Sequence, residues 1–279
     1  MKDYTCDDVA FLKNKARLIR KDIIDMIYIA QAGHPGGSLS STEIVTALYF
    51  YVMNIDPKNP HWEKRDRFIL SKGHACPVLY AALAERGYFE KKHLETLRQY
   101  RSILQGHPDM NKTPGIDMTS GSLGNGLSIG VGMALSSRLR NQHYNVYVLL
   151  GDGEIQEGMV WEAAMSAAQY NLHNLVAIID YNGIQVNGWV NDIMPIEPLA
   201  EKWKSFGWHV LDIDGHDMAK ILSAFQTAEN IQGPVVLIAN TVKGQGVSFM
   251  ENNLEWHGKA PNDSERKCAI TEILEKGIR

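Results

Sequence analysis

Two side chains thirty residues apart, Asp152 and Asn182, are the pair in this chain best suited to hold a hard cation. A carboxylate and an amide oxygen beside a helix N-terminus fit a divalent ion and the phosphates it bridges. Asp152 sits in the run Gly151-Asp152-Gly153, whose glycines let backbone approach a ligand closely. Four histidines, His34, His74, His107 and His257, each stand beside Gly or Pro in segments that read as loops. A single histidine so placed is most often structural. Four of them make a set of neutral imidazoles able to exchange hydrogen bonds with a polar ligand near neutral pH.

The cation pair needs a strand–turn–helix–strand unit to position it, and residues 145–184 read as one. Residues 146–150 are an apolar run too short for a helix, closed by the Gly-Asp-Gly turn. From Ile155 onward, Met159, Val160, Ala163, Ala164, Ala167 and Ala168 recur at helical spacing. Residues 175–179 are a second apolar run, followed by Asp180-Tyr181-Asn182. Such a unit makes two parallel strands with a right-handed crossover. Asp152 and Asn182 then lie just past the carboxyl ends of their strands, where open α/β sheets bind ligands. For the Gly-Asp-Gly turn alone, a helix-capping Asp is the structural alternative.

Other segments repeat the theme. An amphipathic helix over 9–30 carries Leu12, Ala16, Ile19, Ile23, Met26, Ile27 and Ala30 on one side and stops at Gly33-His34-Pro35-Gly36-Gly37. Ser40 or Ser41 offers an N-cap for a second helix running to residue 51. A short strand over 67–70 delivers Ser71-Lys72-Gly73-His74-Ala75 to a helix ending at residue 86. A short helix over 90–100 precedes a loop over 105–126, long enough to be functional, and then a small-residue helix over 127–140. Helices over 197–206, 218–229 and 263–276 and strands over 208–213 and 235–239 complete the pattern. Strands near 70, 150, 180 and 240 each end in a loop bearing Lys, His or Asp, and a parallel sheet brings those loops to one edge.

As a longer pattern, the Gly-Asp-Gly turn with Glu157-Gly158, Glu162, Asn174-Leu175 and Asp180-x-Asn182 resembles the thiamine diphosphate signature of transketolases. The segments GHPG at 33–36, DRFILSKGHA at 66–75, GHP at 106–108, GSLGNGLSIGVGMA at 121–134, TVKGQG at 241–246 and WHG at 256–258 look like transketolase segments in that family's order. The resemblance implies an α/β fold with a mostly parallel twisted sheet and helices on both faces. It implies one diphosphate-binding domain over 1–279 with a C-terminal helical tail. It puts Mg²⁺, or Ca²⁺ or Mn²⁺, on Asp152, Asn182 and the Ile184 carbonyl, beside Gly151 and Gly153. His34, His74, His107 and His257 fall on positions that contact sugar hydroxyls or the diphosphate, and Lys72 falls near cofactor and substrate. Gly121, Ser122 and Leu123 fall against the aminopyrimidine. Lys243 matches a cofactor-contacting position in one branch of the family, where other branches carry an apolar residue.

Glu157 and Glu162, five residues apart on a helix, point about 140° apart and form no stacked acid pair. As residues they read as a first-turn acid favouring the helix dipole and one surface charge. The resemblance instead assigns them to an acidic network at a dimer interface.

Transketolases have three domains, and the motifs here belong to the first. The glutamate that activates the cofactor and most residues gripping a sugar phosphate belong to the others. The expectation is therefore the N-terminal subunit of a split transketolase, working with a separate C-terminal subunit in an α2β2-like assembly. Its reaction is reversible two-carbon ketol transfer from a ketose, phosphorylated in pentose phosphate metabolism, to an aldose, with the histidines orienting hydroxyls and moving protons. The alternatives are the α subunit of a 2-oxoacid dehydrogenase or decarboxylase, which shares Gly-Asp-Gly…Asn without the histidine motifs, and a catalytically silent regulatory subunit.

Composition agrees. With 279 residues, 44% apolar and 22% charged, the chain suits one large α/β domain or two small ones. A net charge of −4 without a basic cluster speaks against nucleic acid. No apolar run approaches the roughly 18 residues that span a bilayer, and the first residues lack the apolar core of a signal peptide. Three scattered cysteines, Cys6, Cys76 and Cys268, suit reduced thiols in the cytoplasm.

Overall fold

The computed structural model describes residues 3–275. Its helices are α1 (Cys6–Ala30), α2 (Pro35–Ser40), α3 (Thr42–Ala47), α4 (Cys76–Arg86), α5 (Asn125–Leu139), α6 (Gly158–Gln169), α7 (Val190–Ile193), α8 (Leu199–Ser205), α9 (Met218–Glu229) and α10 (Asp263–Glu275). The strands are β1 (Arg67–Leu70), β2 (Val146–Gly151), β3 (Leu175–Tyr181), the small hairpin β4 (Ile184–Gln185) and β5 (Gly188–Trp189), then β6 (His209–Asp214) and β7 (Val235–Asn240).

Strands that are apolar on both faces must be covered on both faces. In β2, Val146, Val148 and Leu150 enter one core while Tyr147 and Leu149 enter the other. β3 and β7 alternate in the same way. The result is a five-stranded sheet in the order β1-β2-β3-β7-β6, with every pairing parallel. One face packs on α1, α3, α4 and α9, and the other on α5, α6 and α8. The crossover from β2 through α6 to β3 and that from β6 through α9 to β7 run in opposite directions across the sheet and lie on opposite faces. A single crossover handedness requires that arrangement. All four site-bearing strands therefore end on one edge.

Several boundaries differ from the sequence expectation, each for a local reason. α1 begins at Cys6 because Thr5 and Asp8 form a reciprocal capping box. The Pro-Gly-Gly run does not remain a loop after stopping α1. It starts α2 with Pro35 in the first turn, where the missing N–H costs nothing. Ser41 precedes α3, but its hydroxyl bonds back to the Gly37 carbonyl at 3.0 Å and does not cap. The second helix expected to reach residue 51 is α3 followed by a π-turn over Leu48–Val52. The segment expected as a helix over 90–100 is a 3-10 turn over Lys91–Thr96. The last residue of the helix expected over 263–276 lies outside the described residues. Glu157 is not on the helix that carries Glu162: residues Glu154–Gln156 close a separate 3-10 turn, and Glu157 is the extended residue before α6.

Candidate active site

The ends of β1, β2, β3 and β7 contribute polar groups to a cavity of about 440 Å³ at the carboxyl edge. Lys72 follows β1, Asp152 follows β2, Asn182 and Ile184 follow β3, and Lys243 follows β7. His34, at the start of α2, and His74 line the same space, and His257 reaches it from a turn late in the chain. Gly121, Leu123, Gly151, Gly153 and Glu157 complete the predicted residues found there. Ser122 is exposed beside the wall, and Glu162 points to solvent from α6. His107 is exposed on the neighbouring loop and does not line the cavity. A larger, more open depression of about 850 Å³ runs along the edge strand β6 and α9 and holds none of the predicted residues.

Two buried carboxylates to which the sequence motifs gave no role organise the floor. Asp180, fully buried, accepts from Ser40 Oγ at 2.6 Å, Lys72 Nζ at 2.6 Å, Asn182 Nδ2 at 2.8 Å and Thr241 Oγ1 at 2.5 Å. Burial alone raises its pKa, but the Lys72 ammonium and the donors outweigh it, leaving the carboxyl below the usual value. Glu154 accepts from Ser71 Oγ, from Gly124 N at 2.9 Å and from Gly151 N at 3.0 Å. Burial raises its pKa against those bonds. Asp180 thus ties α2 to the ends of β1, β3 and β7, and Glu154 ties the ends of β1 and β2 to the start of α5. A further buried carboxylate, Glu43, pairs with Arg20 and with His216 Nδ1 at 2.9 Å, while His216 Nε2 accepts from Val242 N at 2.8 Å. That chain fixes the backbone immediately before Lys243.

The histidine motifs converge closely. The rings of His34, His74 and His257 stand 5.2, 5.4 and 5.3 Å apart. Burial is the chief cause of depressed pKa values in all three, aided by Arg98 at His34, by Lys72 at His74 and by Lys243 at His257. The values fall to about 4, about 2 and about 3 respectively, so all three rings are neutral at physiological pH. Among the described residues, His34 Nδ1 is buried and has no hydrogen-bond partner. A buried polar atom of that kind calls for a ligand.

The donor set for a cation is made of hard oxygens. Asp152 accepts from Gly183 N at 2.5 Å and Gly153 N at 2.7 Å, which aims its carboxylate between the two strand ends. Burial and the nearby Asp180 charge push its pKa up to about 6. Asn182 donates its amide nitrogen to Asp180, which turns its Oδ1 away from that carboxylate. The Ile184 carbonyl faces the Lys243 ammonium at 2.7 Å, and Lys243 also meets His257 Nδ1 at 3.0 Å. That carbonyl already accepts a cation, and its second lone pair is available to another. Burial lowers the Lys243 pKa to about 8 against the pull of Asp152. Among the described residues no group of three His, Cys, Asp or Glu could hold a metal. Asp152, Asn182 and Ile184 offer a carboxylate, an amide oxygen and a backbone carbonyl, a combination that fits Mg²⁺ or Ca²⁺.

The family model described as the transketolase thiamine diphosphate binding domain matches residues 12–273. Among similar proteins, the 6-deoxy-6-sulfo-D-fructose transketolase subunit SqwG of Clostridium sp. strain MSTE9 is 47% identical over 267 residues, spanning 95% of this chain and 97% of that protein. An apulose-4-phosphate transketolase subunit of Phocaeicola vulgatus is 43% identical over 258 residues, 92% of each. The transketolase of Homo sapiens is 40% identical over 266 residues, 94% of this chain but 42% of that protein. The crystal structure of transketolase from Campylobacter jejuni matches with a TM-score of 0.90 at 30% identity, over 96% of this chain and 43% of that one.

Proposed function

Because the chain belongs to the transketolase family, through the thiamine diphosphate-binding domain of those enzymes, we propose that it is the N-terminal subunit of a split transketolase. It transfers a two-carbon ketol unit from a ketose to an aldose and needs a separate C-terminal subunit to do so. Relatives of its own length are named as transketolase subunits, whereas it spans about two-fifths of the single-chain transketolases it matches. The substrates in those relatives' names, a sulfo-sugar and a sugar phosphate, carry an anionic group, and an anionic sugar is the substrate class proposed here. The assembly is α2β2-like, with Glu157 and Glu162 at the contact between halves, and residues 1–279 act as one diphosphate-binding domain. The three free cysteines suit the cytoplasm, and no helix among the described residues is long and apolar enough to cross a membrane.

The observation that carries this reading is the convergence of His34, His74, His257, Lys72 and Lys243 on the cavity that Asp152, Asn182 and Ile184 border. Thiamine diphosphate, when bound, supplies the electron sink for C–C cleavage. Asp152, Asn182 and the Ile184 carbonyl would hold a divalent ion, which would neutralise the charge of its diphosphate. Gly151 and Gly153 border the cavity where that diphosphate would bind, and Gly121 to Leu123 would face the aminopyrimidine. His34, His74 and His257, all neutral, donate and accept at sugar hydroxyls, and the unpaired His34 Nδ1 is one such contact. His107 extends the set toward the mouth. A 2-oxoacid substrate lacks the hydroxyls that would occupy these imidazoles.

The test is ketol transfer measured with thiamine diphosphate and Mg²⁺, on the chain alone and after mixing with a separate C-terminal transketolase subunit. Activity in the mixture and none in either part is expected. Full activity of the chain alone would remove the split-enzyme reading.

A further inference from the structure

Ile184 offers its carbonyl to the cation site from a very small hairpin. β4 and β5 pair Ile184 with Trp189 and Gln185 with Gly188, and a two-stranded ribbon of that size is not stable alone. Other contacts have to hold it against the end of β2. Three of its hydrogen bonds end on the proposed cation ligands themselves. Gly183 N donates to Asp152 at 2.5 Å, Ile184 N donates to Asn182 Oδ1 at 3.1 Å, and Lys243 Nζ donates to the Ile184 carbonyl at 2.7 Å. A divalent ion on Asp152, Asn182 and Ile184 draws on the same oxygens. A fourth bond, from Val190 N to the Gly183 carbonyl at 2.8 Å, closes the hairpin segment on itself.

The link through Gln156 uses none of these oxygens. Gln156 Nε2 donates to Gln185 Oε1 at 2.8 Å and to the Met194 carbonyl at 2.9 Å. The Met194 contact fixes the orientation of both amides. A backbone carbonyl only accepts, so Gln156 presents its nitrogen there, and the second N–H of that nitrogen meets an oxygen on Gln185. Gln156 itself stands on a fixed base. It ends the 3-10 turn Glu154–Gln156, and the Glu154 carboxylate is tied to Ser71 Oγ, Gly124 N and Gly151 N. Gln185 passes close over Gly153, where an added Cβ would stand 3.0 Å from Gln185 Cβ and 3.4 Å from its Oε1. Both glutamines line the cavity.

We propose that Gln156 is a positioning residue for the cation site. Its link to Gln185 and Met194 holds the hairpin so that the Ile184 carbonyl stays beside Asp152 and Asn182 with or without an ion. The inference rests on the reading of this cavity as a diphosphate site and deepens it. Ligand oxygens held in place before the ion arrives lose less freedom when it binds. The structural alternative is that the buried Ile184 side chain alone fixes the hairpin, and the glutamines only cover the rim.

The test is calorimetric titration of thiamine diphosphate into the reconstituted two-subunit complex over a series of Mg²⁺ concentrations. The proteins are the wild type, Gln156→Met, Gln185→Met and the double variant. Gln156→Met is expected to raise the Mg²⁺ concentration for half-maximal cofactor binding about tenfold, the cost of losing a group that orients a metal ligand. Saturating Mg²⁺ should restore wild-type cofactor affinity. The double variant should lose no more than Gln156→Met, because both changes cut one link. Denaturant unfolding of the full chain should move little in any of them. An unchanged Mg²⁺ requirement in Gln156→Met, additive losses in the double variant, or a loss that Mg²⁺ does not restore would overturn the proposal. A wild-type complex that binds the cofactor with Mg²⁺ but transfers no ketol unit would end the function reading alone, and the same titrations would still decide the role of Gln156. A wild-type complex that binds no cofactor with Mg²⁺ would overturn both.

Discussion

The Lys72 ammonium lies 2.6 Å from Oδ2 of Asp180 and 2.9 Å from the Gly37 carbonyl, with both charged groups buried under the cavity floor. One ion pair thus joins the end of β1, the end of β3 and the short helix α2. Removing one member of a buried pair strands the other charge, which costs about 3–5 kcal/mol. Asp180→Asn is therefore expected to lower unfolding stability in denaturant by about that amount. The double change Asp180→Asn with Lys72→Met should recover part of the loss. Equal stability of Asp180→Asn and wild type would show that the pair does not hold the strand ends.

Glu43 offers a pH-dependent version of the same effect. Burial pushes its carboxyl up, but Arg20 and His216 outweigh burial and hold it at about 2. Its folded pKa is below its unfolded value of 4.5, so its contribution is fully present above about pH 4.5 and is lost as pH falls toward about 2. Unfolding curves at pH 6 and pH 3 should differ by more in the wild type than in Glu43→Gln. Because Glu43 fixes His216 and His216 fixes Val242, the same variant should weaken cofactor binding through Lys243.

The neutral histidine trio acts in the same direction at higher pH. Each ring has a folded pKa below 6.5, so the folded state binds fewer protons than the unfolded one at mildly acid pH. The contribution is complete above about pH 6.5, drains as pH falls below that value, and is gone once pH has passed the folded values of about 4, 2 and 3. The melting temperature of the cofactor-free protein should fall between pH 7.5 and pH 5, and His74→Gln should flatten that slope. An unchanged slope in that variant would mean that His74 is not held neutral by burial.

Gly36 tests how tightly the wall is packed. A Cβ there would meet the Trp256 carbonyl oxygen at 2.9 Å and Lys243 Cγ at 3.0 Å. Overpacking of this kind costs about 1–3 kcal/mol. Gly36→Ala should push Lys243 toward the cavity and weaken cofactor binding more than it lowers stability. Calorimetry and denaturant unfolding on the same variant separate the two effects.

Much of this site is legible in the sequence because its parts are local. Asp152, Asn182, Lys72 and Lys243 each follow an apolar strand run, and a parallel sheet leaves no choice of edge. The histidines are visible through their Gly and Pro neighbours. The roles of Glu154 and Asp180 are not, because their partners include hydroxyls and backbone amides 30 to 140 residues away, such as Gly124 and Ser40. Nor does any spacing show that α1 ends at a left-handed Gln31, or that Pro35 then starts α2. The displacement of Glu157 from α6 depends on the 3-10 turn before it, which apolar periodicity does not register.

The most direct measurement is calorimetric titration of thiamine diphosphate into the reconstituted two-subunit complex, with Mg²⁺ and with the metal chelated, for the wild type and for Asp152→Ala. Mg²⁺-dependent binding in the wild type and at least a hundredfold loss in Asp152→Ala are expected, with the variant still assembling with its partner. Binding of equal strength in Asp152→Ala, or binding indifferent to Mg²⁺, would contradict the assignment of this cavity as the diphosphate site.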